Sequence, residues 1–183
     1  LPLGGVRYFD SIGSTNDEAL AWAAGGAKHF SLVVADEQTR GRGRLDRKWL
    51  TPKGSAIAMS LILRLSAPIR PHLSRTVGLA ALSLSDACLT LGLSPRIKWP
   101  NDILLDGKKV AGILVETVWS GNEADSLVIG MGINVSKESV PPAVALDYGI
   151  VAATVSALAW LAFVWGWNLR ARDPNLTEPL MIV

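Results

Sequence analysis

The residues best suited to chemistry are gathered in one stretch, Gly41-Arg42-Gly43-Arg44-Leu45-Asp46-Arg47-Lys48-Trp49. Arg42, Arg44 and Arg47 carry planar, permanently charged forks whose geometry matches carboxylate and phosphate oxygens. Gly41 and Gly43 can take positive φ angles and bring backbone N–H groups close to an anion. Trp49 closes the loop with a flat face on which a base or ring can rest. This favours the handling of phosphate. The same composition also suits a solvated surface loop, or one that touches a nucleic-acid backbone without reacting.

A second block runs from Arg96 to Glu116. Asp106-Gly107 between two apolar runs predicts a tight hairpin, and the apolar run 127–135 adds a third strand to make a meander. Lys109 leaves the turn and enters a run that is apolar on both faces, an odd place for a merely solvated lysine; the plainer reading is a stem that snorkels from the sheet edge. Gly112, Gly130 and Gly132 interrupt good strands, as glycines do at bulges or where a ligand approaches the backbone. In a regular strand Lys109 and Gly112 face opposite sides. Both serve one pocket only if a bulge lies between them or Gly112 acts through its backbone.

Other elements must hold these two blocks. Val6–Phe9 reads as a short strand, and Thr15 with Glu18 forms a capping box that predicts a helix from Thr15 to Gly25-Gly26. Ser14, Thr15 and Asn16 then either cap only, or also hold a small polar group at the helix N-terminus. Ser31–Ala35 reads as a buried strand that feeds the arginine loop, and 56–65 as a central strand. Pro71 is expected to open a helix ending near Leu91, with Gly92 as its stop. A chain of 183 residues has room for one sizeable core, and a net charge of +2 does not make nucleic acid the default partner. The single cysteine, Cys88, excludes an internal disulfide, fits a reducing compartment and reads as a buried structural thiol. The first residues do not read as a signal peptide.

Taken in order, Ser-Thr-Asn at 14–16, Gly-Arg-Gly-Arg-x-x-Arg-x-Trp at 41–49, Lys-Trp-Pro-Asn-Asp at 98–102, Lys-x-Ala-Gly-Ile-Leu-Val-Glu at 109–116 and Gly-x-Gly-Ile-Asn at 130–134 form a set. That set resembles the catalytic domain of the biotin protein ligases, also called biotin–[acetyl-CoA-carboxylase] ligases. The likeness runs from about Tyr8 to Val135, and ordered motifs are more specific than any one alone. It implies an α+β fold with a mixed, largely antiparallel sheet flanked by helices, related to class II aminoacyl-tRNA synthetases. It implies a reaction in which biotin and ATP, with Mg²⁺, give biotinyl-5′-AMP and pyrophosphate. The biotinyl group then passes to one lysine of a carboxylase's biotin carrier domain.

The resemblance also implies roles by position. Arg44 and Lys109 lie against the carboxylate and phosphate as catalytic cations. Ser14, Thr15, Asn16 and Gln38 hold the ureido ring and its neighbours, and Gly41, Arg42, Gly43, Arg44, Lys109 and Gly112 complete the biotin side. Arg47, Trp49, Asn101, Asp102, Gly132 and Asn134 form the nucleotide side, where Asp102 either holds Mg²⁺ through water or orients the incoming lysine. A purely structural Asn-Asp turn is the alternative for Asn101 and Asp102. The chemistry accords with these residue types: joining two anions calls for fixed cations more than for proton acceptors.

The likeness ends after Ser136. Residues 1–140 are expected to form the catalytic domain and 141–183 an atypical apolar segment, because Tyr148 to Trp167 contains no charged residue. By length that run suits a bilayer span, but topology would put the catalytic domain on the side away from ATP. A helix packed on the sheet is preferred, with an out-of-frame reading as a third possibility. The tail after it is too short for the C-terminal β-barrel usual in the family. Expected partners are biotin, ATP and the carrier domain, in the cytoplasm, with neither nucleic acid nor membrane, and with pairing of two copies through their sheets as a family habit. Two other readings stay open. One is a lipoate ligase or octanoyltransferase of the same architecture; the other is a fragment that binds without catalysis, whether it captures biotin or meets RNA through the basic loop.

Overall fold

A computed structural model of the chain describes residues 3–65, 72–144 and 147–151. Along it come β1 (Gly5–Phe9), α1 (Thr15–Ala24), β2 (Ser31–Ala35), β3 (Ala56–Arg64), α2 (Arg75–Thr90), β4 (Arg96–Lys98), β5 (Asp102–Leu105), β6 (Lys108–Ser120) and β7 (Glu123–Asn134). Two short 3₁₀ turns follow, at Lys137–Ser139 and Pro142–Val144. The strands form one seven-stranded sheet in the order β1-β2-β3-β7-β6-β5-β4. Only β1 and β2 run parallel; the other neighbours are antiparallel. The mixed, largely antiparallel α+β architecture expected from the sequence is the one observed.

Strand alternation separates the two faces of this sheet. On β3 and β7 the residues Leu61, Leu63, Leu127, Ile129, Met131 and Ile133 join Ala80, Ala81, Leu84 and Ala87 of α2 in one apolar cluster. Their neighbours Ile62 and Val128 join Ala19 and Ala23 of α1 in another. The helices therefore cover opposite faces, as the period-two rule requires. Gly130 and Gly132 share the parity of Val128, so the α1 face is also the face with the bare glycines.

The hairpin turn between β5 and β6 forms as expected: Asp106 and Gly107 hold φ angles of 49° and 77°, the left-handed pair that a two-residue turn demands. The turn between β6 and β7 is tighter than the sequence suggested. Gly121 with a φ of 57° lets Ser120 pair with Glu123, so β7 begins at Glu123 rather than at 127. Helix α1 ends at Gly25 as expected, but its cap is Ser14, whose hydroxyl accepts from the Asp17 N–H at 3.4 Å. Thr15 is drawn elsewhere: its N–H and its hydroxyl donate to Gln38 Oε1 at 2.8 and 3.1 Å. Gly92, with a φ of 74°, follows α2 as its stop. The expected opening of that helix at Pro71 lies outside the described residues.

Among the described residues no helix is long and apolar enough to cross a membrane. Tyr148 to Val151 do not form a helix: Tyr148 bridges Lys109 in parallel, and the Lys109 N–H donates to Asp147 O while the Gly149 N–H donates to Lys109 O. The rest of the apolar run, 152–167, lies outside the described residues.

Cys88 is buried in α2, and burial pushes its thiol up to about 11. At pH 8 the thiolate is then on the order of one molecule in a thousand. A disulfide reagent at pH 8 should leave the native chain unlabelled and modify Cys88 once denaturant is added; rapid labelling of the native chain would contradict this burial.

Candidate active site

Position 112 lies opposite position 132 across β6 and β7, and both are glycine. The Trp49 indole lies on the floor they leave. A Cβ built on Gly132 would run into Trp49 Cε2 and Nε1, and one on Gly112 would come within 3.0 Å of Trp49 Cζ3. Beside them, a Cβ on Gly130 would collide with the Asn16 amide. The glycines that interrupt good strands are thus explained by close approach, though here it is the protein's own side chains that approach.

The loop carrying Trp49 is itself a small hairpin. Gly43 N–H donates to Arg47 O at 2.7 Å, and Trp49 N–H donates to Gly41 O at 2.9 Å. Its tip is Leu45 and Asp46, with φ angles of 55° and 58°. The positive angles open to Gly41 and Gly43 are not used there; they fall at the tip, where a two-residue turn needs them. Gly41 is required for another reason: a Cβ would meet the Trp49 carbonyl oxygen, and Gln38 Nε2 would stand at 3.0 Å. Leu45 projects from the tip, 81% exposed.

Facing the floor is a set of neutral hydrogen-bonding groups. Ser14, Thr15 and Asn16, at the start of α1, are all buried. Gln38 links Thr15 to Thr51, donating through Nε2 to Thr51 Oγ1 at 3.1 Å. Ser60, buried in β3, lies 2.6 Å from Asn16 Oδ1 and 2.8 Å from Thr15 Oγ1, with its one proton to give. The other side of Asn16 donates to Glu116 Oε2 at 2.7 Å.

The opposite end is cationic. Lys109 Nζ stands 2.8 Å from Asp102 Oδ1. It lies 5.4 Å from the centre of the Trp49 ring and 5.5 Å from that of Tyr148. Arg44 donates to Asn101 Oδ1 at 3.0 Å, and Asn101 Nδ2 donates to Ile113 O at 3.1 Å. Lys109 and Gly112 reach this one space because β6 bulges between them. Ile103 pairs with Ala111 and Leu104 with Lys109, which leaves Val110 as an extra residue. Of the two ways the sequence left open for a shared pocket, the bulge is the one present.

Together these groups line a cavity of about 400 Å³, a size suited to a small organic ligand. Of the residues expected at a site, it brings together Ser14, Thr15, Asn16, Gln38, Arg42, Gly43, Arg44, Arg47, Trp49, Asn101, Asp102, Lys109, Gly112 and Gly132. Two are corrected. Gly41 does not line the cavity, since its carbonyl is engaged by the Trp49 N–H behind the wall. Asn134 is also absent from the lining: its amide donates to Gly149 O at 3.1 Å and to Lys109 O at 3.5 Å, tying the 147–151 segment to β6. Arg42 lines the cavity, but its guanidinium is held by Glu116 at 3.0 and 2.7 Å and by Asp17 at 2.7 Å. The Glu116 hydrogen bonds are the chief cause that raises the Arg42 pKa above its ordinary value.

Sequence reasoning missed Ser60, Glu116 and Tyr148. Ser60 is the lone hydroxyl in an apolar strand, and Glu116 has the strand parity of Gly112 and Leu114, so both carried a signal. Tyr148 carried none, because only the docking of 147–151 on β6 brings it to Lys109. As to a metal, no group of three or more His, Cys, Asp or Glu side chains that could hold one occurs among the described residues. Among the described residues Asp102 is the one carboxylate on the cavity wall, which suits an ion delivered with phosphates and water but not a protein cage.

A seven-stranded mixed sheet flanked by two helices is a fold of the class II synthetase-like kind, and its cavity joins a neutral hydrogen-bonding end to a cationic end. The chain belongs to the biotin/lipoate A/B protein ligase family, whose model matches residues 8–134. It is 43% identical over 134 residues to the bifunctional ligase/repressor BirA of Bacillus spizizenii, covering 72% of this chain and 41% of that protein. It is 42% identical over 139 residues to the biotin–[acetyl-CoA-carboxylase] ligase of Paracoccus denitrificans, covering 74% of this chain and 56% of that one. The chain thus spans about half the length of these curated relatives, or less. Among solved structures, the Aquifex aeolicus biotin protein ligase in complex with biotin and ATP superposes with a TM-score of 0.71 at 25% identity, over 92% of this chain and 72% of that one. The Helicobacter pylori biotin acetyl coenzyme A carboxylase synthetase with bound biotinylated ATP superposes with a TM-score of 0.68 at 26% identity, over 90% of this chain and 74% of that one.

If Trp49 rests on the Gly132 floor, Gly132→Ala should cost about 1–3 kcal/mol of stability by overpacking, and clearly less in a Trp49→Ala background. Urea unfolding of the single and double variants measures this; equal costs in both backgrounds would show that the indole does not lie there.

Proposed function

We propose that the chain is the catalytic unit of a biotin–protein ligase, which activates biotin with ATP to biotinyl-5′-AMP and passes the biotinyl group to a lysine of a biotin carrier domain. One observation carries this reading above the others: Arg44 and Lys109, from segments far apart in sequence, line the same cavity as the neutral set Ser14, Thr15, Asn16 and Gln38. An uncharged urea needs neutral donors and acceptors, whereas a carboxylate meeting a triphosphate needs cations. The names of the two bacterial relatives point the same way.

The chemistry follows from charge. A carboxylic acid with a pKa of about 4 to 5 is ionised near neutral pH, so the biotin carboxylate attacks the α-phosphorus without a general base. The bond to pyrophosphate breaks as the new P–O bond forms, and the departing charge calls for fixed cations. Lys109 and Arg44 supply them at one end of the cavity, with Arg47, Lys48 and Lys98 also on its wall. Mg²⁺, carried in with the nucleotide, would be held by Asp102 and would neutralise phosphate charge. In the second half-reaction the neutral amine of the carrier lysine attacks the acyl carbon, AMP leaves with the bonding pair, and the amine gives up a proton. The arginine hairpin, folded over the adenylate, keeps water from taking the lysine's place. We assign the reaction to the cytoplasm, where ATP and carboxylases meet.

A lipoate-type ligase would work through the same cationic end. Its dithiolane ring has no use for four neutral hydrogen-bonding side chains, which favours biotin. ATP–pyrophosphate exchange with and without biotin tests the proposal. Exchange should require biotin, and Lys109→Ala or Arg44→Ala should each slow it by on the order of a hundredfold or more. Exchange that ignores biotin, follows lipoate instead, or survives both substitutions would overturn the reading. A streptavidin blot with a carrier domain then reads transfer.

A further inference from the structure

One carboxylate serves both working parts of the cavity. Glu116 lies on β6 two positions beyond Leu114 and four beyond Gly112, so it shares their face of the strand and stands where the neutral end closes. Its Oε2 accepts from Asn16 Nδ2 at 2.7 Å and from Arg42 Nη2 at 2.7 Å, while its Oε1 accepts from Arg42 Nη1 at 3.0 Å. Asn16 belongs to the neutral, ring-accepting end. Arg42 is the foot of the arginine hairpin.

Each contact has a directional consequence. Glu116 Oε2 at 2.7 Å, with the longer contact to Leu114 O at 3.4 Å beside it, accepts from the Asn16 amide and so turns its NH₂ toward β6. The amide oxygen then faces the Ser60 hydroxyl, which stands at 2.6 Å. Gly130 leaves the space this demands, because any side chain there would overlap the amide. Asn16 is thereby presented to a ligand in one orientation of the two an amide can adopt. On the loop side, the Arg42 fork is bidentate to Glu116 and also meets Asp17 at 2.7 Å. The hairpin that carries Arg44 and Arg47 is therefore pinned at its foot to α1 and β6 at once.

The geometry points to Glu116 as a positioning residue for biotin recognition, one that sets the Asn16 amide and the foot of the arginine hairpin in a common register; this rests on the reading of the chain as a biotin-activating enzyme. Glu116 does not line the cavity itself and acts through these two neighbours. It explains why Arg42 is consumed by a protein carboxylate while Arg44, two residues on, reaches the neutral Asn101 amide and stays available to an anion.

Pyrophosphate exchange on Glu116→Gln, Arg42→Gln and the double variant, with hydrogen exchange of the Gly43 and Trp49 amides, tests the inference. Glutamine keeps the shape but has one acceptor oxygen in place of two, so an NH₂ must face either Asn16 or one arm of the Arg42 fork, and the bidentate pairing is lost. The biotin KM should rise ~10-fold or more, with kcat and the ATP KM within about threefold of the unaltered chain, because a recognition group has lost its orientation. The double variant should be no worse than about twofold beyond the poorer single one, as expected for groups in one network. The two loop amides should exchange faster in Glu116→Gln while the β3 and β7 amides do not change. An unaltered biotin KM, a uniform fall in kcat alongside lower thermal stability, or fully additive effects would overturn the proposal. If the unaltered chain shows no biotin-dependent exchange at all, the enzymatic reading fails and the role in recognition falls with it. Hydrogen exchange then judges the tether alone, and equal loop protection in the variant would overturn that as well.

Discussion

An extra residue in β6 makes the site possible. Without the bulge at Val110, Lys109 would point through the sheet toward the apolar cluster that α2 covers. With it, Val110 and Ala111 are both buried, and Lys109 emerges on the face where Gly112 leaves room. That face is covered by α1 and not by α2, so the polar start of α1 and Lys109 of β6 open onto one cavity. The 147–151 segment continues the arrangement, pairing with the backbone of Lys109 on either side and bringing Tyr148 against its ammonium.

The second constraint is the cost of gathering like charges. Two unit charges 4 Å apart repel by about 4 kcal/mol at an effective dielectric near 20, so a cavity lined by arginines and lysines has to temper its own field before any anion arrives. Three different solutions appear. Lys109 shares an ion pair with Asp102 on the cavity wall. Arg42 is taken up by Glu116 and Asp17. Arg44 is held by the neutral Asn101 amide, which fixes its direction and leaves its charge. The result is graded: one arginine anchors, one reaches, and the lysine has a partner that an incoming phosphate can displace or share.

Much of this was legible in the sequence, and the failures have physical causes. The meander could be read because Asp106-Gly107 leaves a hairpin few alternatives, and the bulge was one of two ways left open for Lys109 and Gly112 to serve one pocket. The cap of α1 came out one residue late because Ser14 and Thr15 satisfy the same rule, and only Gln38, distant in sequence, decides between them. Gly41 and Asn134 fell off the cavity wall because a motif states which residue recurs and not where its polar atoms point. Gly41 had to let Trp49 close the hairpin, and Asn134 had to satisfy two backbone carbonyls. Ser60 and Glu116 were visible as polar residues in strands but gain meaning only through Asn16, which they hold from opposite sides.

On the proposed function, one cavity holds an uncharged ring and two anionic groups side by side. Calorimetric titration with biotin, and separately with a non-hydrolysable mimic of biotinyl-5′-AMP, tests this most directly. A joined ligand whose halves both fit one cavity should bind at least about a hundredfold more tightly than biotin alone, because the second half arrives at a high effective concentration. A mimic that binds no more tightly than biotin, or that leaves biotin bound, would mean that the ring end and the cationic end are not parts of one site.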